Sequence, residues 1–245
     1  MKIKYISPIT DEDFEKKSIA EAQGFASSKV QIDVERVPYG TESIECSFDE
    51  ALAAPGIIKV GLDAAKQGYD GIFVSCMGDP GLDALRELVD IPVVGPCRTS
   101  MLCAADLSTR FSVITVTDGV VPIIERIAYD AGVAAKLASV KAVNIPVLEL
   151  GEKDRLIQSL FKLAIEAIEK YNAQLLILGC TGMIGVSEKL MGLLHDKRYD
   201  VPVIYPVSVS VRYLESLVLL GLSHSRMSYP RSPKKSRSIW NILNK

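Results

Sequence analysis

Along the chain, short apolar runs alternate with stretches whose apolar positions recur every three or four residues. The short runs predict strands at 3–7, 32–37, 71–75, 92–95, 111–115, 139–143, 175–178 and 201–205. Between them the helical period appears in "SIAEAQGFASS", "LDALREL", "RLIQSLFKLAIEAIEKY" and "VRYLESLVLLGL". Thr10-Asp11-Glu12-Asp13 and Ser47-Phe48-Asp49-Glu50 have the form of capping boxes that open two helices, and Pro55-Gly56 predicts a break or bend in the second. Regular alternation of strand and helix predicts an α/β fold with mainly parallel sheets flanked by helices.

The pattern also repeats. "YDGIFVSCMGDPGLDALRELVDIPVVGP" and "AQLLILGCTGMIGVSEKLMGLLHDKRYDVPVIYP" each run an apolar strand into a cysteine, a glycine turn and a helix. Each then closes on a second strand set between two prolines, Pro92/Pro96 in one copy and Pro202/Pro206 in the other. This predicts two pseudo-symmetric, Rossmann-like lobes facing one another across a cleft. We expect residues 1–98 with 207–225 in the first lobe and 99–206 in the second, with 226–245 as a flexible basic tail. That tail carries no acidic residue, and its lone Trp240 hints at a packing contact near its end.

The repeat singles out Cys76 and Cys180. In α/β sheets ligands bind beyond the carboxyl ends of the strands, where both cysteines fall. A following helix N-terminus is expected to lower the thiol pKa, and the backbone N–H groups of Gly78-Asp79 and Thr181-Gly182 can bind an anionic or enolate oxygen. Two thiols on opposed lobes suit a reaction with a base on one face of a carbon and an acid on the other. Against this stands the plain reading of a buried cysteine as a small core hydrophobe. A redox pair is a further alternative, weakened by the absence of a CxxC.

Composition narrows the classes. With 245 residues, a net charge of −2 and 48% hydrophobic content, the chain can bury a large core and presents no basic field for nucleic acid. No apolar run is long enough for a signal peptide or a membrane span. An odd count of five cysteines argues for reduced thiols in a cytoplasm, and two histidines without zinc spacing argue against a metal. The expected partners are a small-molecule substrate and further copies of the chain, with no cofactor.

At "CMGDPGL" (76–82) and "GCTGM" (179–183) the sequence resembles the hydantoin/allantoin racemase branch of the aspartate/glutamate racemase superfamily. "YGTESIE", "FSVIT" and "VPIIE" are similar to flanking stretches of that branch, and the likeness covers about residues 2–225. The resemblance implies a cofactor-independent racemase that uses Cys76 and Cys180 as acid and base on 5-substituted hydantoins or a related cyclic ureide such as allantoin. It also implies substrate contacts at Ser7, Gly78, Asp79, Thr115, Thr181 and Gly182. "SPIT" (7–10) replaces the branch's usual Asn-Pro-Asn-Thr, Met77 a phenylalanine and Thr181 an alanine. Alternative expectations are an aspartate/glutamate-type amino-acid racemase, a dicarboxylate isomerase or decarboxylase of the same superfamily, and a non-enzymatic binding module.

Overall fold

A computed structural model describes residues 1–233 and 235–237; Trp240 lies outside the described residues. The first half of the chain runs β1 (Lys2–Ser7), α1 (Glu12–Phe25), β2 (Gln31–Arg36), α2 (Ser47–Lys66), β3 (Gly71–Val74), α3 (Leu82–Leu88), β4 (Val93–Val94) and α4 (Pro96–Leu107). The second half repeats this order as β5 (Phe111–Thr115), α5 (Val121–Asp130), β6 (Leu137–Ala142), α6 (Lys153–Tyr171), β7 (Leu175–Leu178), α7 (Ser187–Asp196), β8 (Val203–Ile204) and α8 (Pro206–Leu219). Short 3-10 turns at Asp118–Val120, Ala134–Lys136 and Val147–Glu149 are interposed.

The strands form two parallel four-stranded sheets in equivalent orders, β2-β1-β3-β4 and β6-β5-β7-β8. Parallel sheets covered on both faces favour uninterrupted apolar strands, and "GIFV" of β3 and "LLIL" of β7 are buried at every position. β4 and β8 are two residues long because Pro96 and Pro206 follow, and each proline starts the next helix at a position that needs no N–H partner.

α4 and α8 pack along each other, and α8 also lies on β3 and α1 while α4 lies on β7. At Gly71 a side chain would come within 2.8 Å of Leu214, so β3 needs a glycine where α8 crosses it. One core runs through both sheets, joining Ile3, Tyr5 and Phe73 to Phe111, Ile114 and Leu176. The shared core fixes the two cysteine-bearing strand ends relative to one another.

Three local expectations are corrected. Asp11, not Thr10, caps α1, accepting from the amide of Phe14 at 2.6 Å. α2 begins one residue earlier than the expected box, with Cys46 as its capping residue and no side-chain cap. It also runs unbroken through Pro55, because packing holds it. Gly56 passes so close to Val37 and the Tyr39 carbonyl that a Cβ would lie 2.6 Å from that oxygen.

After α8 the chain folds back over β4. His224 Nε2 accepts from the Val93 amide at 2.7 Å, and Arg86 donates to the Val93 carbonyl. Burial pushes the His224 pKa down to about 4, consistent with a neutral imidazole acting as acceptor. Arg226 donates to the Arg86 carbonyl at 2.8 Å and pairs with Asp90 at 2.7 Å. The exposed edge of β4 is thereby covered by side chains. Among the described residues no helix is long and apolar enough to cross a membrane, and no cluster of side chains has the makings of a metal site.

Candidate active site

The two cysteine turns share one geometry. β3 pairs with β1 up to Ile6–Val74, and β7 pairs with β5 up to Ile114–Leu178. The next residues extend the pairing, with Ser75 N donating to Ile6 O at 2.9 Å and Gly179 N to Ile114 O at 2.7 Å. Each cysteine then opens a tight turn. Asp79 N donates to Cys76 O at 3.0 Å, and Met183 N donates to Cys180 O at 3.2 Å. Inside the turns the amides of Gly78 and Gly182 donate to the sulfur two residues back, at 3.4 and 3.3 Å. Gly179 is required by close approach: a Cβ there would lie 2.7 Å from the Thr115 Cα.

Both thiols line one tight cavity of about 40 Å³, smaller than a preformed small-molecule site. Its walls are mostly apolar, with Ile9, Phe14 and Ile44 from the first half and Val116, Ile123 and Val147 from the second. The two halves are stitched at its rim. Thr181 Oγ1 donates to Ser75 O at 3.2 Å, and the Val147 amide donates to Glu45 Oε1 at 2.9 Å. Below the Cys180 turn, Tyr205 Oη lies 2.7 Å from both the Thr181 carbonyl and Glu21 Oε2. One hydroxyl proton cannot serve two acceptors, so this geometry suits a protonated Glu21 that donates to Tyr205. Burial pushes the Glu21 pKa up to about 7, in the same sense.

The expected lowering of the thiol pKa is reversed. Burial pushes Cys180 up to about 11 and Cys76 up as well, against the help of the Gly182 and Gly78 amides. The helices that were to supply positive potential start at Leu82 and Ser187, well beyond the thiols, and helix-end fields fade within a turn. Cys76 also faces Cys180, Glu50 and Asp79, whose negative charges oppose its ionisation. Cys180 is therefore the thiol that ionises first. The five cysteines are all unpaired in disulfide terms.

The other expected contacts divide. Gly78 and Thr181 stand on the cavity wall with Cys76 and Cys180. Ser7 does not: it shares the strand face of Ile3 and Tyr5, is fully buried, and leaves Pro8 and Ile9 to form the wall. Thr115 turns its hydroxyl to the Gly179 carbonyl at 3.0 Å, and Val116 takes its place. Asp79 adopts a left-handed backbone, with φ of 48°, that turns its carboxylate away from the cavity. There it accepts from the amides of Cys97 and Arg98, at 3.1 and 2.9 Å, and so caps α4. Gly182 faces a neighbouring groove beside Phe14 and Leu150.

In the sequence Glu50 stands out only as part of a capping box, not as a site residue. It belongs to the buried stripe of α2 with Ala53, Ile57, Val60 and Ala64, and an acid on an apolar stripe was the available signal. It is the one charged side chain on the cavity wall among the described residues.

The Asp/Glu/hydantoin racemase family model matches residues 3–214, including both cysteine turns. The chain belongs to this family. It is 32% identical over 245 residues to a hydantoin racemase of Pseudomonas sp. (strain NS671), covering 100% of this chain and 96% of that protein. Its fold superposes on the allantoin racemase from Klebsiella pneumoniae with a TM-score of 0.88 at 32% identity, covering 99% and 98% of the two chains. The allantoin racemase from Pseudomonas fluorescens gives 0.89 at 32% identity, covering 97% and 100%. These relatives of the Asp/Glu/hydantoin racemase family are isomerases, and the present chain is an enzyme of that class with a hydantoin/allantoin racemase-like function.

Proposed function

We propose that this protein racemises a neutral cyclic ureide, such as a 5-substituted hydantoin or allantoin, by two-base proton transfer between Cys76 and Cys180. In this reading residues 1–98 with 207–225 form one lobe and 99–206 the other, and the substrate ring lies between them. One cysteine, as thiolate, takes the proton from the carbon next to the carbonyl. The C–H electron pair moves into the carbonyl as an enolate. The opposite thiol then returns a proton to the other face, leaving the two sulfurs with exchanged protonation states. No oxidant or cofactor enters the balance.

The observation that carries the reading is the cavity itself, which holds two equivalent thiols and, among the described residues, no lysine, arginine or histidine on its wall. An amino acid or a dicarboxylate brings at least one carboxylate that needs a cation or several donors, and among the described residues the one charged wall residue is an acid. A ureide ring is uncharged and its carbanion delocalises into a carbonyl. The amides of Met77 and Thr181, directly after the thiols, meet no acceptor among the described residues and are the donors available to the enolate oxygen.

The raised thiol pKa values fit a site that works when filled. Substrate dipoles replace cavity surface that cannot solvate a thiolate, so ionisation becomes easier in the complex than in the empty protein.

The test is incubation with single enantiomers of 5-substituted hydantoins, allantoin, aspartate and glutamate in D2O, following optical rotation and exchange of the α-hydrogen. Loss of rotation with exchange is expected for a ureide. Racemisation confined to the amino acids would refute the proposal.

A further inference from the structure

Glu50 carries an unexplained arrangement. Its side chain is about nine-tenths buried, and its Oε1 has no hydrogen-bond partner. An orphaned buried acceptor costs on the order of 1–3 kcal/mol, and more when charged, so a retained one calls for a reason. Its Oε2 has a single long contact, 3.4 Å to Arg126 on α5 in the other half of the chain. That arginine is more than half exposed and holds the carboxylate from outside the cavity.

The orphaned oxygen lies over the Cys76 turn. A Cβ at Gly78 would come within 2.2 Å of Glu50 Oε1, so the absent side chain at 78 is what admits the carboxylate. Glu50 thus stands at the cavity wall beside Cys76 and Gly78, among apolar neighbours. The other polar wall groups are already engaged: Ser75 Oγ with Tyr5 Oη at 2.6 Å, and Thr181 Oγ1 with the Ser75 carbonyl. A free acceptor beside a mostly apolar cavity with no cationic side chain on its wall among the described residues favours a ligand that brings its own hydrogen on nitrogen.

We propose that Glu50 is a specificity-determining residue whose carboxylate accepts a hydrogen bond from a ring N–H of the cyclic ureide held between Cys76 and Cys180. This rests on the racemase reading above and adds to it a recognition element. A ureide ring carries N–H groups next to its carbonyls, and a bond from one of them to Glu50 would fix the ring's edge while the thiols act on its faces. The same carboxylate repels ligands whose edge carries a negative charge or only acceptors. A bond to an ionised acceptor is among the stronger hydrogen bonds, and its loss is felt in binding.

The experiment crosses protein and substrate changes. Exchange of the C5 hydrogen in D2O is measured for wild type, Glu50→Gln and Glu50→Ala on 5-benzylhydantoin and on its 1-methyl and 3-methyl derivatives. On the parent compound we expect kcat/KM to fall about 100-fold in Glu50→Ala and about tenfold in Glu50→Gln, mostly through KM, since the amide keeps a neutral acceptor. For wild type, one of the two N-methyl isomers should suffer a loss similar to that of Glu50→Ala. On that isomer the Glu50 variants should lose less than threefold further, because the bond is already gone.

Equal losses on all three compounds would assign Glu50 a structural role and overturn the proposal, as would a Glu50→Ala enzyme within twofold of wild type. If Glu50→Ala fails to fold, the same crossing with Glu50→Gln decides. Wild type that exchanges none of the compounds would mark failure of the racemase reading itself, an outcome distinct from an active enzyme indifferent to position 50.

Discussion

In the empty protein, the reactivity of Cys180 should track a high thiol pKa. The perturbation is pH, and the probe is a small neutral alkylating agent such as iodoacetamide, which reacts with the thiolate. Burial takes Cys180 from an ordinary value near 9.0 to about 11. That rise corresponds to about 3 kcal/mol against ionisation. At pH 7 it leaves roughly one thiol in 10,000 ionised, compared with about one in 100 for an unperturbed cysteine. The alkylation rate at Cys180, read by peptide mass spectrometry, should therefore climb about tenfold per pH unit from 7 to 10, roughly 1,000-fold in all, without levelling. Cys76 should react more slowly throughout, because Glu50 and Asp79 add to the burial. A hydantoin in the cavity should protect both. A plateau below pH 9 would refute the reasoning, since it would mean that the turn amides outweigh burial.

Three further outcomes follow from particular contacts. Asp79→Ala removes the acceptor for the Cys97 and Arg98 amides, so it should cost about 1–2 kcal/mol and lower Tm by several degrees, with the KM for a ureide unchanged; a KM effect would return Asp79 to the substrate. Gly179→Ala drives a Cβ to within 2.7 Å of the Thr115 backbone, so expression should yield protein about 1–3 kcal/mol less stable in urea unfolding, and a neutral result would contradict the strand register described here. Glu21 has its pKa raised from 4.5 to about 7, so the stability tied to its protonated form is present below about pH 4.5 and is lost as pH rises through 7. Glu21→Gln should accordingly gain Tm relative to wild type across that interval, as followed by thermal melts at successive pH values, whereas a constant difference would show that Glu21 does not titrate there.

How much of this was legible in the sequence depends on the length scale of the physics involved. Strand existence was legible throughout, because β3 and β7 are buried on both faces and appear as unbroken apolar runs, while β5, equally buried, departs from one only at Ser112 and Thr115. The short strands β4 and β8 were read one or two residues too long at each end, since the prolines that bound them mark turns without fixing where pairing stops. The cysteine repeat gave the site, because both turns use the same local hydrogen bonds.

What stayed hidden depends on tertiary packing. Ser7 and Thr115 sit at strand ends, where a one-residue shift of face decides between the cavity and the core. Asp79 serves a helix whose start lies some seventeen residues further along the chain, and no local pattern indicates that partner. The thiol pKa values were misjudged because burial by distant residues outweighed a helix dipole assumed to be near. Glu50 looked like part of a helix cap, and only the fold turns it towards Gly78.

The measurement that bears most directly on the two-thiol account is hydrogen exchange at C5 by Cys76→Ser and Cys180→Ser, each given the two enantiomers of one hydantoin separately in D2O. Each substitution should reduce racemisation by at least 1,000-fold. Exchange without inversion should survive for one enantiomer in Cys76→Ser and for the opposite enantiomer in Cys180→Ser, because each remaining thiol still serves one face. Racemisation within tenfold of wild type in either variant, or the same enantiomer exchanging in both, would contradict the account.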